Sequence, residues 1–207
     1  MLWQIDGYLT TYPAVQSSSL YTLWAGGNDF LALPSNPTPE QINTTIATAA
    51  GNIVSAIDLL AGAGAQNFLV LNLPDLGQTP RYNYDPLVSG SASWLADTFN
   101  QALNNALEAY GTDNPGINLC QLDTFAFLND TIGGDYFVND TDAWLGSGDM
   151  PSDYLFWDDI HPTTDAHWLL SEAADEQLNS CVPVPPSILM LISGLLGLFS
   201  LKKRLSR

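Results

Sequence analysis

Three short apolar runs recur along the chain, separated by stretches in which apolar residues return every three or four positions. The runs are Ser19-Leu20-Tyr21-Thr22-Leu23-Trp24-Ala25, Asn67-Phe68-Leu69-Val70-Leu71-Asn72 and Ile117-Asn118-Leu119-Cys120-Gln121-Leu122. Each predicts a strand, and the first two predict buried ones. The first run ends in Gly26-Gly27-Asn28-Asp29, the signature of a tight turn. Next, Thr38-Pro39-Glu40-Gln41 combines an N-cap, a proline at the first helical position and a capping-box glutamine, so a helix starts there. Ile42, Ile46, Ala49, Ile53, Ile57 and Leu60 follow helical spacing, and Gly62 and Gly64 close it. A second helix is predicted over residues 91–110, with Trp94, Phe99, Leu103 and Leu107 on one side and Gly111 after it. Residues 129–153 are polar, glycine-rich and aromatic, and predict a surface loop with some local structure. A last helix begins after His161-Pro162-Thr163 and turns Leu169, Leu170, Ala173 and Leu178 inward. Strands alternating with helices, without an internal repeat, predict an α/β sandwich around a parallel sheet.

Composition narrows the classes of function. At 207 residues and 46% hydrophobic, the chain holds one substantial core, hence one globular domain plus a tail. Its five basic residues are Arg81, Lys202, Lys203, Arg204 and Arg207, so everything up to Leu201 carries 22 acids against one base, a net of −21. Such a body repels phosphate backbones, which argues against nucleic acid as a partner. The acidity suits solubility in a secreted or salty setting. Asn129-Asp130-Thr131 and Asn139-Asp140-Thr141 suit turns and caps without a metal. Cys120 and Cys181 are too few for a disulfide framework or a cysteine-based zinc site, and a single bridge is compatible with an oxidising compartment. The opening Met1-Leu2-Trp3-Gln4-Ile5-Asp6-Gly7 has neither the basic start nor the apolar run of a secretory signal.

The C-terminus reads differently. Val182-Pro183-Val184-Pro185-Pro186-Ser187 is followed by an uncharged apolar stretch over residues 188–201 and then by Lys202-Lys203-Arg204-Leu205-Ser206-Arg207. Prolines break the preceding helix, the apolar run enters lipid and the terminal cations stay with headgroups. Fourteen residues of helix reach roughly 21 Å, short of the ~30 Å hydrocarbon core. This linker, apolar run and basic end resemble the PEP-CTERM sorting signals of Gram-negative bacteria, in a form without the usual glutamate. The resemblance implies exosortase-type sorting machinery as a partner, a membrane-associated tail over residues 182–207 and a destination in the envelope or outside the cell.

Chemistry concentrates in Phe156-Trp157-Asp158-Asp159-Ile160-His161-Pro162-Thr163, which sets a carboxylate and an imidazole three residues apart at the mouth of a helix. A general-base histidine needs one free ring nitrogen and a carboxylate that fixes its tautomer. Asp158 and His161 fit those roles, and in a parallel α/β sheet both this turn and Gly26-Gly27-Asn28-Asp29 belong at the carboxyl ends of strands. The two motifs, in this order and context, resemble the GDSL or SGNH family of lipases and acylhydrolases, particularly the plant-like and bacterial lecithinase-like branch. The similarity covers most of residues 1–180, and Tyr154-Leu155-Phe156-Trp157-Asp158-Asp159-Ile160-His161-Pro162-Thr163-Thr164 is its most specific piece.

The resemblance implies a three-layer α/β/α sandwich and a carboxylic-ester hydrolase that needs no cofactor and acts on a lipid or an acylated small molecule. It makes His161 the general base, Asp158 its orienting carboxylate and Asn28 an oxyanion-hole donor, with Gly26 and Asp29 supporting the turn. Asp159 is expected to be a solvated neighbour, His167 a packed or capping histidine, and Phe156 and Trp157 packing residues. Asn72-Leu73-Pro74-Asp75-Leu76-Gly77 resembles the family's strand-end loop. The family's Gly-Asp-Ser nucleophile block and its second glycine block have no counterpart, and Ser17, Ser18 and Ser19 precede the first strand rather than follow one. The expectation is therefore a partial hydrolase domain over residues 1–181 whose first strands are missing, inactive by itself. The family's first strand lies beside the run at Leu20 to Trp24, so that strand is expected at an exposed edge. The alternative is a catalytically dead, envelope-associated binding module on the same scaffold.

Overall fold

The computed structural model describes residues 1–181. The reading of 182–207 as an apolar helix and sorting segment lies outside them. In chain order the elements are α1 (Leu2–Thr11), β1 (Leu20–Trp24), α2 (Gly27–Leu31), α3 (Pro39–Gly62), β2 (Asn67–Leu71), α4 (Pro86–Asp113), β3 (Asn118–Leu122), α5 (Thr124–Ile132), β4 (Asn139–Ala143), β5 (Tyr154–Phe156) and α6 (Thr164–Cys181). The three long apolar runs form one parallel sheet in the order β1-β2-β3, with Leu20 opposite Asn67 and Asn67 opposite Asn118. A separate parallel pair, β4 with β5, carries the segment leading into the His161 turn.

The sheet has two unlike faces. On one, Leu23, Phe68 and Val70 pack into a core with Ile53 and Ile57 of α3 and Phe99, Leu103 and Leu107 of α4. Each such side chain contributes about 2 kcal/mol by leaving water. On the other, Leu69, Leu71, Cys120 and Leu122 meet Leu170, Ala173, Ala174 and Leu178 of α6. The layers are thus α/β/α. A disulfide between Cys120 and Cys181 ties the end of α6 to the middle of β3. By length and composition α3 could cross a bilayer, yet its apolar stripe faces this core.

Local signals explain most boundaries. Thr38 Oγ1 accepts the Gln41 amide at 3.2 Å and Gln41 Oε1 accepts the Thr38 amide at 2.8 Å, the expected capping box of α3. Four expectations need correction. The strand at Leu20 to Trp24 is not buried as its apolar run predicts, but lies at the exposed edge that the resemblance implies: among the described residues β1 pairs only with β2, and Leu20, Thr22 and Trp24 are exposed because α6 reaches only part of that face. The second helix starts at Pro86 rather than 91, since the Asp85 carboxylate caps the Leu87 and Val88 amides, and it runs through Gly111 to Asp113. Trp94 points outward, 55% exposed. Residues 129–153 are not one loop, for they hold the end of α5 and all of β4. Asn129, Asp130 and Thr131 are helical, whereas Asn139 Oδ1 does accept the Thr141 and Asp142 amides as a turn-forming side chain. Helix α1 was not anticipated; Leu2, Ile5 and Leu9, at helical spacing, lay it against the α3 side of the core.

Candidate active site

Local sequence builds the Asp158–His161 turn tightly. Tyr154, Leu155 and Phe156 are buried and anchor the segment. Beyond them the chain folds back, with the Trp157 amide donating to His161 O at 2.8 Å and the Thr163 amide to Leu155 O at 2.9 Å. The buried Thr163 hydroxyl donates to Tyr154 O at 2.9 Å and receives the Ala166 amide at the head of α6. Within this pinch, Asp158 Oδ1 accepts the amides of Ile160 at 2.9 Å and His161 at 2.7 Å, while Oδ2 lies 2.8 Å from His161 Nδ1. Partial burial opposes the charged form of Asp158. The two amides and the imidazole outweigh it and hold the carboxyl below its ordinary value. With Nδ1 facing the carboxylate, the favoured tautomer carries its proton there and leaves Nε2, on an exposed ring, free to accept one.

Asn28 lies in the first turn of the five-residue helix α2, so the expected tight turn opens a short helix. Gly26 makes the entry possible. Its φ of +116° is left-handed, and a Cβ there would stand 3.0 Å from the Phe99 ring. Phe30 packs edge-on against the same ring, 5.2 Å between centroids. The Asn28 side chain has no hydrogen-bond partner among the described residues, which leaves its amide free to donate outward. The Asp29 amide closes the turn onto Gly26 O at 3.0 Å.

The ring of His167, in α6, sits edge-on to Trp24 at the carboxyl end of β1, so α6 begins at that end of the sheet. Asn28, which follows β1, and His161, which precedes α6, therefore lie at the same end. Asp158 and His161 are brought into contact; Asn28 is hydrogen-bonded to neither. His167 is exposed rather than packed or capping. Phe156 is buried, whereas Trp157 is exposed and stacks on Trp144, 4.4 Å between centroids. Ser17, Ser18 and Ser19 precede β1 at the amino end, and no hydroxyl among the described residues is hydrogen-bonded to His161.

Sequence reasoning missed what holds the turn in place. Asp159 is not merely solvated: its carboxylate pairs with Arg81 at 3.1 Å and its carbonyl accepts the Arg81 amide at 2.7 Å. Arg81 ends a loop whose base is fixed by buried Asp75, which accepts hydrogen bonds from the Gly77 amide, Ser93 and Asn129. Gly77 is required there, because a Cβ would approach Ser89 O to 2.2 Å. Asn72 is wholly committed, donating to Asp123 and accepting from Thr124 and Phe125. The only early signal of the Arg81 contact was that Arg81 is the lone cation of the body.

The chain is 26% identical over 160 residues to an acetylesterase of Thermothelomyces thermophilus, covering 75% of the chain and 51% of that protein. It is 24% identical to Lipase 1 of Photorhabdus luminescens, over 86% of the chain and 39% of that protein. With the esterase EstA of Pseudomonas aeruginosa the identity is 30%, over 81% of the chain and 28% of that protein. The chain spans about half the length of these curated relatives, or less. The sequence profile of the GDSL-like lipase/acylhydrolases matches residues 2–174, most of the chain, and so the chain belongs to the GDSL-like lipase/acylhydrolase family.

Proposed function

We propose that residues 1–181 carry the base and oxyanion half of a carboxylic-ester hydrolase, and that the attacking serine comes from outside these 207 residues. The observation that carries the reading is the Asp158–His161 pair, with Nδ1 on the carboxylate and Nε2 exposed. In the reaction, Nε2 takes the proton of the attacking hydroxyl as its oxygen adds to the ester carbonyl, then returns it to the departing alkoxide. Negative charge grows on the carbonyl oxygen. The unengaged Asn28 amide is the donor for it, and such a donor is worth about 3–4 kcal/mol of barrier. Gly26 and the Asp29 amide fix the turn that aims it. Ester substrates and esterase or lipase relatives agree with this reading.

A second reading, a non-catalytic binding module on the same scaffold, draws on the lack of any serine bonded to His161 among the described residues. Hydrolysis of p-nitrophenyl esters by a form of the protein that includes the serine separates the two. Loss of all turnover in His161→Ala supports the hydrolase; a rate unaffected by that change refutes it. For the tail, we read residues 182–207 as a sorting and membrane segment of an exported protein, supported by the proline, apolar and basic order and by the Cys120–Cys181 disulfide, a bond of oxidising compartments. Removing 182–207 should release the body from the envelope, as fractionation would show.

A further inference from the structure

A polar cleft of about 410 Å³ opens between the middle of α4 and the carboxyl end of β3, and none of Asn28, Asp158 and His161 lines it. Six of its ten lining residues are carboxamides: Asn72, Asn100, Gln101, Asn104, Asn105 and Gln121. On α4 they return every three or four positions from Asp97, a polar stripe beside the Phe99, Leu103 and Leu107 stripe that enters the core. Two of the six are fixed. Asn100 donates to Leu73 O and accepts the Leu73 amide, both at 2.8 Å, and Asn72 is committed to Asp123 and Thr124. The others keep groups to spare: among the described residues the side chains of Asn105 and Gln121 bond nothing, and Gln101 Oε1 and Asn104 Oδ1 accept nothing.

Charge narrows the occupant. The body's net of −21 repels an anion, and both carboxylates of the cleft already accept hydrogen bonds, Asp97 from Gln101 at 2.7 Å and Asp123 from Asn72 at 2.9 Å. What remains is a set of neutral groups, each able to donate and to accept, beside the half-buried ring of Phe125. A sugar matches this set, since its hydroxyls also donate and accept, two adjacent ones can meet the oxygen and nitrogen of one carboxamide, and its C–H face stacks on an aromatic ring. We propose that the cleft binds neutral sugar units of a glycan, apart from the candidate ester-hydrolysing site. Its volume lies near the low end for small-molecule sites, which fits one or two sugar rings. Bound there, a glycan holds the body at a polysaccharide surface whether or not the ester chemistry runs.

The test applies the purified, fluorescently labelled chain to an array of neutral and acidic glycans at low and high salt. Neutral glycans should be retained equally at both salts, because no charge is exchanged, and sulfated or uronic glycans should not be. The best soluble oligosaccharide is then titrated by calorimetry. Gln121→Ala and Asn105→Ala should each weaken its binding by at least about tenfold, the usual loss when a buried hydroxyl loses its partner. Neither side chain bonds within the fold among the described residues, so both variants should keep the parent's melting temperature. Asn43→Ala, exposed on α3 outside the cleft, should bind as the parent does. Absence of any retained neutral glycan, retention that falls with rising salt, or binding that survives both substitutions overturns the proposal.

Discussion

The two halves of the candidate site are held by different forces. The Asp158–His161 turn is fixed by hydrogen bonds: two amides on one carboxylate oxygen, an imidazole on the other, a backbone pinch at Trp157 and Thr163, and the Arg81 clamp outside. Asn28 is placed by the backbone of a short helix and by apolar packing, with no hydrogen bond to its side chain among the described residues: Gly26 and Phe30 both lean on Phe99, and the helix hangs from β1, paired on one side among the described residues. Polar fixation sets orientation and protonation together, as a base requires. Packing sets only position, which suffices for a donor whose amide is already correct in charge and geometry. The halves should therefore fail differently when disturbed.

The largest break is Asp158→Asn in a serine-containing form. The asparagine oxygen can still accept the two amides, but an NH2 donor replaces the oxygen that faces His161 Nδ1 and forces the other tautomer, so turnover should fall about ten-thousandfold. Asn28→Ala should cost roughly a hundredfold to a thousandfold in kcat while melting temperature stays unchanged, because the Asn28 side-chain amide has no hydrogen-bond partner among the described residues. Unchanged rates would remove Asn28 from the site. Gly26→Ala tests the packing itself: a left-handed φ and the 3.0 Å approach to Phe99 should destabilise the domain by about 2–4 kcal/mol, read by thermal or denaturant unfolding. The smallest effect is a pH dependence confined to the polar half. The Asp158 carboxyl is depressed in the fold, so its contribution is complete above the ordinary aspartate value of about 3.9 and is lost as pH falls through the lower folded value. Hydrogen exchange at residues 157–161 should accelerate below about pH 4, while exchange around Asn28 stays level.

What was legible in the sequence follows the same division between local and distant causes. The capping box at Thr38 and Gln41 and the pairing of Asp158 with His161 act over three residues, so spacing alone reveals them. The start of α4 was equally local, since Asp85-Pro86 is a capping signal, but apolar periodicity drew attention to residue 91 instead. Distant causes left little trace. Arg81 meets Asp159 across 78 residues, Asn72 organises the start of α5 across more than 50, and the polar cleft draws its walls from residues 97–105 and 121–125. For β1 the two kinds of cause disagreed. Its apolar run taken locally reads as a buried strand, whereas the strand order that the family resemblance implies puts it at an exposed edge, and among the described residues β1 pairs only with β2, with Leu20, Thr22 and Trp24 exposed.

The central claim is that this chain supplies the base and the oxyanion donor but not the nucleophile. Treating the purified 207-residue chain with a fluorophosphonate, which phosphonylates only serines activated by a base, tests it directly. The account predicts no labelled peptide by mass spectrometry. A stoichiometric adduct on any serine of the chain, Ser17, Ser18 or Ser19 included, that disappears in His161→Ala would contradict it.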